Sequence, residues 1–136
     1  MPRISSIDSR RSIVNQKIPI LKIKDYLIVP IQVDMDDRLA LQLQMDILKQ
    51  IEKCNSRGVI IDISVIDMVD SYLGRILGDT ARMAGLMDAR VVIAGMQPAV
   101  AITLVELGLG LEGVYTALNL EAAISLLEEL LDKDAA

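Results

Sequence analysis

The sequence predicts a single α/β domain in which a mostly parallel β-sheet is covered by about four helices. Short apolar runs alternate with longer segments whose apolar residues recur every three or four positions, a pattern typical of strands alternating with amphipathic helices. Two of the short runs, residues 59–63 and 91–94, are nearly all apolar, which indicates central strands covered on both faces. A length of 136 residues suits one domain with its own core. The predicted order is β-β-α-β-α-β-α-(β)-α.

The first half of the domain is predicted from its turns and its periodicity. Residues 18–23 and 27–33 read as two strands joined by a tight turn. Asp36 and Asp37 favour a helix start, because carboxylates stabilise the positive end of a helix. Residues 55–58 end this helix. Its buried side is predicted to contain Ala40, Leu43, Ile47, Ile51 and Cys54.

The second half of the domain continues the alternation. A helix begins near Ser71 and ends by residues 87–88, and Pro98 starts a third helix that runs to about Leu107. Residues 113–116 are predicted as a short edge strand. The last helix is predicted to have an asparagine cap, Asn119, and one apolar face, formed by Leu120, Ile124, Leu127 and Leu131.

The N-terminal residues differ from the rest of the chain. Residues 1–16 are polar, with three arginines and one aspartate, and show no sustained periodicity. We therefore predict a flexible tail at 1–16, with no function assigned to it, followed by one domain at 17–136.

The composition excludes several classes of function. The net charge is −5, and an acidic chain has no general attraction for nucleic acid. No apolar run approaches the roughly 20 residues of a membrane helix, so no membrane association is predicted. The chain has no histidine, which removes the commonest general base and metal ligand. We predict no enzyme, no catalytic residue, no metal and no cofactor.

The single cysteine, Cys54, cannot form an internal disulfide. This favours the reducing environment of the cytoplasm. Because free cysteine is among the most frequently buried residue types, we interpret Cys54 as a core residue rather than a reactive thiol.

One motif imitates a nucleotide-binding site. Gly108, Gly110 and Gly113 match the glycine fingerprint of dinucleotide-binding folds. That fingerprint follows a strand and opens a helix. Here the glycines follow a predicted helix and precede a short strand, so we interpret them as a helix stop and a turn.

The segment at residues 62–74, DISVIDMVDSYLG, lies where a central strand ends and a helix begins. Open α/β sheets place functional loops at this edge. From chemistry alone Ser71 has two interpretations. It is either an N-cap whose hydroxyl accepts a hydrogen bond from the first helical turn, or an exposed hydroxyl that a kinase can reach. Arg75 follows four residues later, one helical turn along the chain.

The helix that starts at Ser71 contains three glycines, at positions 74, 78 and 85. A glycine inside a helix costs up to about 1 kcal/mol relative to alanine, so these glycines require a reason. They either allow close packing within the same chain or provide a smooth surface for a partner. The predicted buried stripe beside them contains Leu73, Leu77, Thr80, Ala84 and Met87. The exposed face on the other side contains Tyr72, Arg75, Asp79, Arg82 and Leu86.

Taken together, five segments resemble the STAS family, the anti-sigma-factor antagonists. They are KIPILK at 17–22, VIIDI at 59–63, DMVDS at 67–71, LGD at 77–79 and AGMQPAVA at 94–101. The Asp-Ser step and the Gly-x-Gln-Pro-Ala segment are the most specific parts. The resemblance extends from Lys17 to about Leu131, and it implies a single STAS domain.

The resemblance also implies a function: a non-enzymatic, phosphorylatable scaffold or antagonist in a bacterial stress-signalling complex, the stressosome. The implied partners are STAS paralogues with sensory domains, a switch serine kinase and a resetting phosphatase, within a homo- or hetero-oligomer. Ser71 matches the phosphorylated serine, and its modification is expected to release the kinase. Thr103 matches a threonine of the sensory paralogues and ranks below Ser71. The expected partner interface contains Asp67, Asp70, Tyr72, Gly74, Arg75, Gly78, Asp79 and Arg82.

Two other functions remain open. A stand-alone anti-sigma-factor antagonist would present Ser71 to an anti-sigma kinase without forming large assemblies. A small-ligand-binding or enzymatic α/β domain is disfavoured by the lack of histidine and of an ordered glycine loop.

Overall fold

The computed structural model describes residues 18–135, which contain a five-stranded sheet with helices on both faces. The strands are β1 (Leu21–Ile23), β2 (Tyr26–Pro30), β3 (Gly58–Asp62), β4 (Arg90–Ala94) and β5 (Tyr115–Ala117). They lie in the order β1-β2-β3-β4-β5, with β1 antiparallel to β2 and all other neighbours parallel. The predicted α/β class and mostly parallel sheet are confirmed. The tail predicted at 1–16 lies outside the described residues.

Within residues 18–135 there are four helices: α1 (Asp37–Cys54), α2 (Ser71–Leu86), α3 (Pro98–Glu106) and α4 (Leu120–Ala135). The element order agrees with the prediction. The backbone N–H of Leu39 donates to Oδ1 of Asp36 at 2.7 Å, which caps the start of α1. The backbone N–H of Ala122 donates to Oδ1 of Asn119 at 2.8 Å, so the predicted cap of α4 is confirmed.

The sheet separates two apolar clusters, because successive strand residues point to opposite faces. Val59 and Ile61 belong to the larger cluster, which also includes side chains of α1, α2 and α3. Ile60 belongs to the smaller cluster, beneath Leu127 of α4. Burying one such side chain stabilises the fold by roughly 1.5–3 kcal/mol. The positions of the apolar residues along each strand therefore determine which face of the sheet each helix covers.

A buried polar contact joins α1 to α2. Nε2 of Gln44 donates to Oγ1 of Thr80 at 3.1 Å, and the Thr80 hydroxyl donates to the carbonyl of Ile76 at 2.6 Å. Both side chains are buried. Because an unpaired buried polar group is costly, this contact favours one register of α2 against α1.

The helix α4 is attached to the sheet by charged contacts as well as by apolar packing. Lys24 and Tyr26 both donate to Oε2 of Glu128, each at 3.1 Å. Arg90 donates to both carboxylate oxygens of Asp134, at 2.6 and 3.0 Å. These contacts lower the pKa of both acids below its ordinary value, chiefly through the hydrogen bonds from Lys24 and Arg90.

Several local predictions need correction. The edge strand predicted at 113–116 is β5, which begins at Tyr115 because Gly113 has a φ of 79° and belongs to the preceding turn. Cys54 is only half-buried and donates to Oε1 of Gln50 at 3.5 Å, since α1 ends there. Met87 is 38% exposed, because α2 ends one residue earlier.

Candidate functional site

The segment between β3 and α2 is anchored at the carboxyl edge of the sheet. The backbone N–H of Ser64 donates to Oδ1 of Asp62 at 3.0 Å, and the N–H of Ile63 donates to the carbonyl of Ala94 at 2.9 Å. The side chains of Ile63 and Ile66 are buried in the core. The segment therefore enters α2 from a defined position.

The segment that follows β4 braces the same loop. Nε2 of Gln97 donates to the carbonyl of Ser64 at 2.7 Å. Gly95 has a φ of 77°, and a Cβ there would lie 2.8 Å from Cβ of Ser64. A larger residue would therefore separate the two segments, and its backbone would be strained. This is the structural role of the glycine and glutamine in the Gly-x-Gln-Pro-Ala segment.

Ser71 is the first residue of α2, and its side chain is exposed. The N-cap is Asp70, whose Oδ1 accepts a hydrogen bond from the N–H of Leu73 at 2.8 Å. The interpretation of Ser71 as the N-cap is therefore wrong. Within residues 18–135 the Ser71 hydroxyl has no hydrogen-bond partner. It is a free nucleophilic group at an exposed helix start.

Thr103 differs from Ser71 in its local bonding. It lies within α3, where its Oγ1 donates to the carbonyl of Ala99 at 2.9 Å. Its side chain is half-buried. A kinase would have to break this contact before using the hydroxyl, which agrees with the lower rank given to Thr103.

Packing within the chain explains the first glycine of α2. A Cβ on Gly74 would lie 2.8 Å from Cδ2 of Leu104 and 2.9 Å from Cδ1 of Leu109. Gly78 is also buried, with Cδ2 of Leu111 3.4 Å from the position of a Cβ. Gly85 faces open space. The side chain of Leu109 thus occupies the surface at Gly74 that had been considered for a partner.

Two of the leucines that cover α2, Leu109 and Leu111, come from the segment containing the glycine motif, whereas Leu104 belongs to α3. As predicted, that motif follows a helix, α3, and precedes a strand, β5. Gly108 and Gly113 both have positive φ, 73° and 79°, so they form turns. The motif shapes a loop that packs against α2.

Beside Ser71, α2 borders a shallow cleft of about 280 Å³. Arg75 is exposed and makes no ion pair within residues 18–135, whereas Arg82 pairs with Asp79 on the same helix. Arg75 is therefore the arginine available for a new anion one turn from Ser71. The residues that line the cleft are Gly74, Arg75, Gly78, Asp79, Arg82 and residues 108–112.

Two exposed residues of the site were not anticipated from the sequence. Met68 is 82% exposed and Val65 is 55% exposed, both in the segment that leads to Ser71. They border a second cleft of about 220 Å³, between this segment and the one that follows β2. Their exposure could have been predicted from the sequence, since neither residue fits the periodicity of a neighbouring strand or helix. Tyr72, by contrast, is half-buried against the core.

Residues 18–135 contain no group of three or more acidic, cysteine or histidine side chains placed to bind a metal ion. None of the helices in this range combines the length and the apolar character needed to cross a membrane.

The fold agrees with the result of comparison with known proteins. The chain belongs to the STAS domain family, whose model matches residues 17–123. It is similar to RsbS of Moorella thermoacetica, seen as a serine-to-glutamate variant: 39% identity, a TM-score of 0.76, and coverage of 85% of this chain and 97% of that one. A structure described as the molecular architecture of the stressosome matches with 39% identity and a TM-score of 0.70, covering 83% of this chain and 98% of that one.

Longer relatives also match. RsbT co-antagonist protein RsbRA of Bacillus subtilis is 26% identical over 136 residues, which cover 94% of this chain and 50% of that protein. The chain spans about half the length of the curated relatives it matches. The family resemblance predicted from the sequence is confirmed.

Proposed function

We propose that this protein is a phosphorylatable scaffold of a bacterial stressosome, without catalytic activity of its own. It sequesters a switch serine kinase and releases the kinase when Ser71 is phosphorylated. The observation that carries the proposal is the unpaired, exposed hydroxyl of Ser71 at the start of α2, with Asp70 as the cap. The similarity to RsbS, over nearly the whole of that chain, supports it.

The proposed partners are those that the family resemblance implies. They are RsbR-like STAS paralogues with sensory domains, an RsbT-like switch kinase and an RsbX-like resetting phosphatase. RsbRA is named as a co-antagonist of RsbT, which supports a kinase target for the assembly. The cytoplasm is the proposed location, since the chain has a single cysteine and therefore no internal disulfide.

The proposed kinase interface surrounds Ser71. Asp67, Arg75 and Arg82 are exposed and so are accessible to a partner, while Tyr72 and Asp79 are half-buried. Gly74 and Gly78 would contribute through the leucines that cover them rather than through direct contact. Exposed Met68 adds an apolar element next to the phosphorylation site.

The proposed release mechanism is electrostatic. A phosphoserine carries about −1.5 to −2 charges at neutral pH. The start of a helix accommodates an anion well, so phosphate at Ser71 leaves the fold intact. The cost arises at the interface, because Asp67 and Asp70 already make the surface acidic and a partner would have to bury a dianion there.

The direct test is mass spectrometry of the intact protein and of its peptides after incubation with the cognate switch kinase and Mg-ATP. The proposal expects a single added phosphate, located on Ser71. Ser71→Ala should receive no phosphate, and Thr103→Ala, as the matched control, should be modified like the wild type. Phosphate located elsewhere, or none, would refute the assignment of Ser71.

Size analysis tests the scaffold role separately. Mixed with an RsbR-like paralogue, the protein is expected to elute as a large complex that contains both chains. Failure to co-elute would favour a stand-alone antagonist, which uses the same serine without an assembly.

A further inference from the structure

A groove lined by six apolar residues and two aspartates lies open at the carboxyl edge of the sheet. It has a volume of about 220 Å³ and separates the segment after β2 from the segment before α2. Its walls include Val33, Met35 and Leu73, and its rim includes exposed Val65 and Met68. Among the described residues nothing covers Met68, which is 82% exposed. Apolar side chains exposed together in this way commonly mark a binding surface.

Two of the residues that line this groove, Asp34 and Asp67, are exposed aspartates. The loops that follow the strands, residues 31–36, 63–70, 95–97 and 118–119, contain two further aspartates, Asp36 and Asp70, and no lysine or arginine. An apolar groove with an acidic rim favours an occupant that is both apolar and basic, because complementary charge selects and orients the partner.

The N-terminal segment of the same chain has this composition. Residues 1–17 contain four basic residues and one acid, whereas the rest of the chain contains ten basic residues and eighteen acids. The basic residues are Arg3, Arg10, Arg11 and Lys17, and they are interspersed with Ile4, Ile7, Ile13 and Val14. The segment is therefore complementary to the groove in charge and in apolar character.

The point where this segment joins the domain is within reach of the groove. Ile18 is buried, and with Pro19 it lies beside Asp46 in the middle of α1. From Asp46 to the first residue of α1, near the groove, is about 14 Å along the helix axis at a rise of about 1.5 Å per residue. An extended chain of this length spans up to roughly 56–60 Å. The connection therefore imposes no geometric obstacle.

We propose that residues 1–17 dock within the same molecule on the groove at Val65 and Met68, with their basic side chains facing the aspartates of the rim. A regulatory consequence rests on the proposed function: the segment competes with the kinase for the surface around Ser71. Phosphate on Ser71 adds negative charge to this surface, so it strengthens docking of the segment and promotes release of the kinase.

Trypsin cleavage of the full chain tests the docking without any kinase. Cleavage after Arg10, Arg11 and Lys17 is followed by mass spectrometry at about 0.01 M and about 1 M ionic strength, since salt screens these contacts. Asp34→Asn/Asp67→Asn should be cleaved about threefold faster than wild type at low salt, a modest factor because exposed ion pairs are individually weak. The difference should vanish at high salt.

A matched control keeps the net charge change constant. Glu52→Gln/Glu129→Gln removes two exposed acids far from the groove and should be cleaved like the wild type. Equal cleavage rates for all three proteins at low salt would overturn the proposal. Protection that increases with protein concentration would assign the groove to the segment of a second copy, which also overturns it.

The regulatory consequence has its own measurement. Arg10→Gln/Arg11→Gln should bind the switch kinase more tightly than wild type, by about threefold on the same estimate for exposed charges. Unchanged affinity would refute competition while leaving the docking result intact. Absence of kinase binding by both proteins would refute the proposed function instead.

Discussion

At the start of α2, Asp70 and Ser71 have separate roles. The carboxylate of Asp70 accepts the hydrogen bond from Leu73, so the hydroxyl of Ser71 is not required for the helix to begin. This division matters for a switch, because a hydroxyl that also capped the helix would disturb the fold when it was modified. The same separation makes the stability of α2 and the chemistry at Ser71 independently testable.

Removal of the cap should destabilise the protein without removing the proposed phosphorylation site. Asp70→Ala is expected to lower the free energy of unfolding by about 1 kcal/mol, the usual cost of losing an N-cap. Urea denaturation measures this change. Asp67→Ala is the control, because Asp67 is exposed and makes no hydrogen bond within residues 18–135. This substitution should change the free energy of unfolding by less than about 0.5 kcal/mol. Equal losses of unfolding free energy in both variants would show that removal of the cap is not the cause of the destabilisation.

The glycines of α2 provide a second comparison between matched residues. Gly85→Ala is expected to stabilise the protein by up to about 1 kcal/mol, because its Cβ meets open space and alanine favours the helix. Gly74→Ala gains the same helix propensity, but the new Cβ must displace Leu104 and Leu109. Such overpacking costs about 1–3 kcal/mol. We expect a net loss near 1 kcal/mol for Gly74→Ala in thermal or urea denaturation. A gain in both variants would mean that the leucines move aside freely.

Among the elements, α4 connects two separate parts of the sheet. Glu128 contacts Lys24 in the turn between β1 and β2, and Asp134 contacts Arg90 at the start of β4. Arg90 also donates to the hydroxyl of Tyr115 at 2.7 Å. The helix is thereby attached to the β1–β2 turn and to β4 through two carboxylates, which titrate in acid.

These contacts predict a pH dependence. The pKa of Asp134 is lowered in the folded protein, first by its hydrogen bond with Arg90. Its contribution to stability is therefore complete above its unfolded pKa of about 4, and is lost as the pH falls through the lower folded pKa. Asp134→Asn should lower the melting temperature slightly at pH 7, and the difference from wild type should disappear in stronger acid.

Glu129→Gln is the control for this experiment, because Glu129 is an exposed neighbour on α4 with no salt bridge within residues 18–135. Its melting temperature should differ little from that of the wild type at either pH. A destabilisation by Asp134→Asn that persisted unchanged in acid would show that packing, and not charge, is responsible.

At the scale of the whole molecule, charge is distributed unevenly. The carboxyl edge of the sheet is acidic, and the kinase is proposed to dock there. Phosphate at Ser71 is placed at a helix start that favours anions and on a surface that disfavours a further buried negative charge. The proposed modification would therefore have opposite effects on the fold and on the interface.

The corresponding prediction separates these two effects. Phosphorylated protein should melt within a few degrees of unmodified protein, while its affinity for the kinase falls at least about tenfold, equivalent to about 1.4 kcal/mol. Arg75→Ala should increase the loss of affinity, because Arg75 is placed to pair with the phosphate and soften the repulsion. A large drop in melting temperature would contradict the prediction that phosphate leaves the fold intact. An Arg75→Ala variant whose loss of affinity equals that of wild type would contradict the role given to Arg75.

Much of the fold and part of the site followed from local patterns. The α/β order, the central strand at residues 59–63 and the cap at Asn119 depend on periodicity and on contacts within a few residues. The exposed helix start at Ser71 belongs to the same group. Assignment of the cap to Asp70 rather than Ser71 did not follow, because both residue types are good caps and the backbone geometry chooses between them.

Local sequence patterns specify which segments become strands and helices and where the loop that contains Ser71 falls, since these depend on interactions between near neighbours along the chain. Long-range packing, in contrast, is the reason that Leu109 covers Gly74, that Gln97 braces Ser64 and that Met68 is exposed. These features join residues about thirty positions apart, or leave a residue without a partner. They depend on which loops the sheet brings together at its carboxyl edge, and no local pattern encodes that placement.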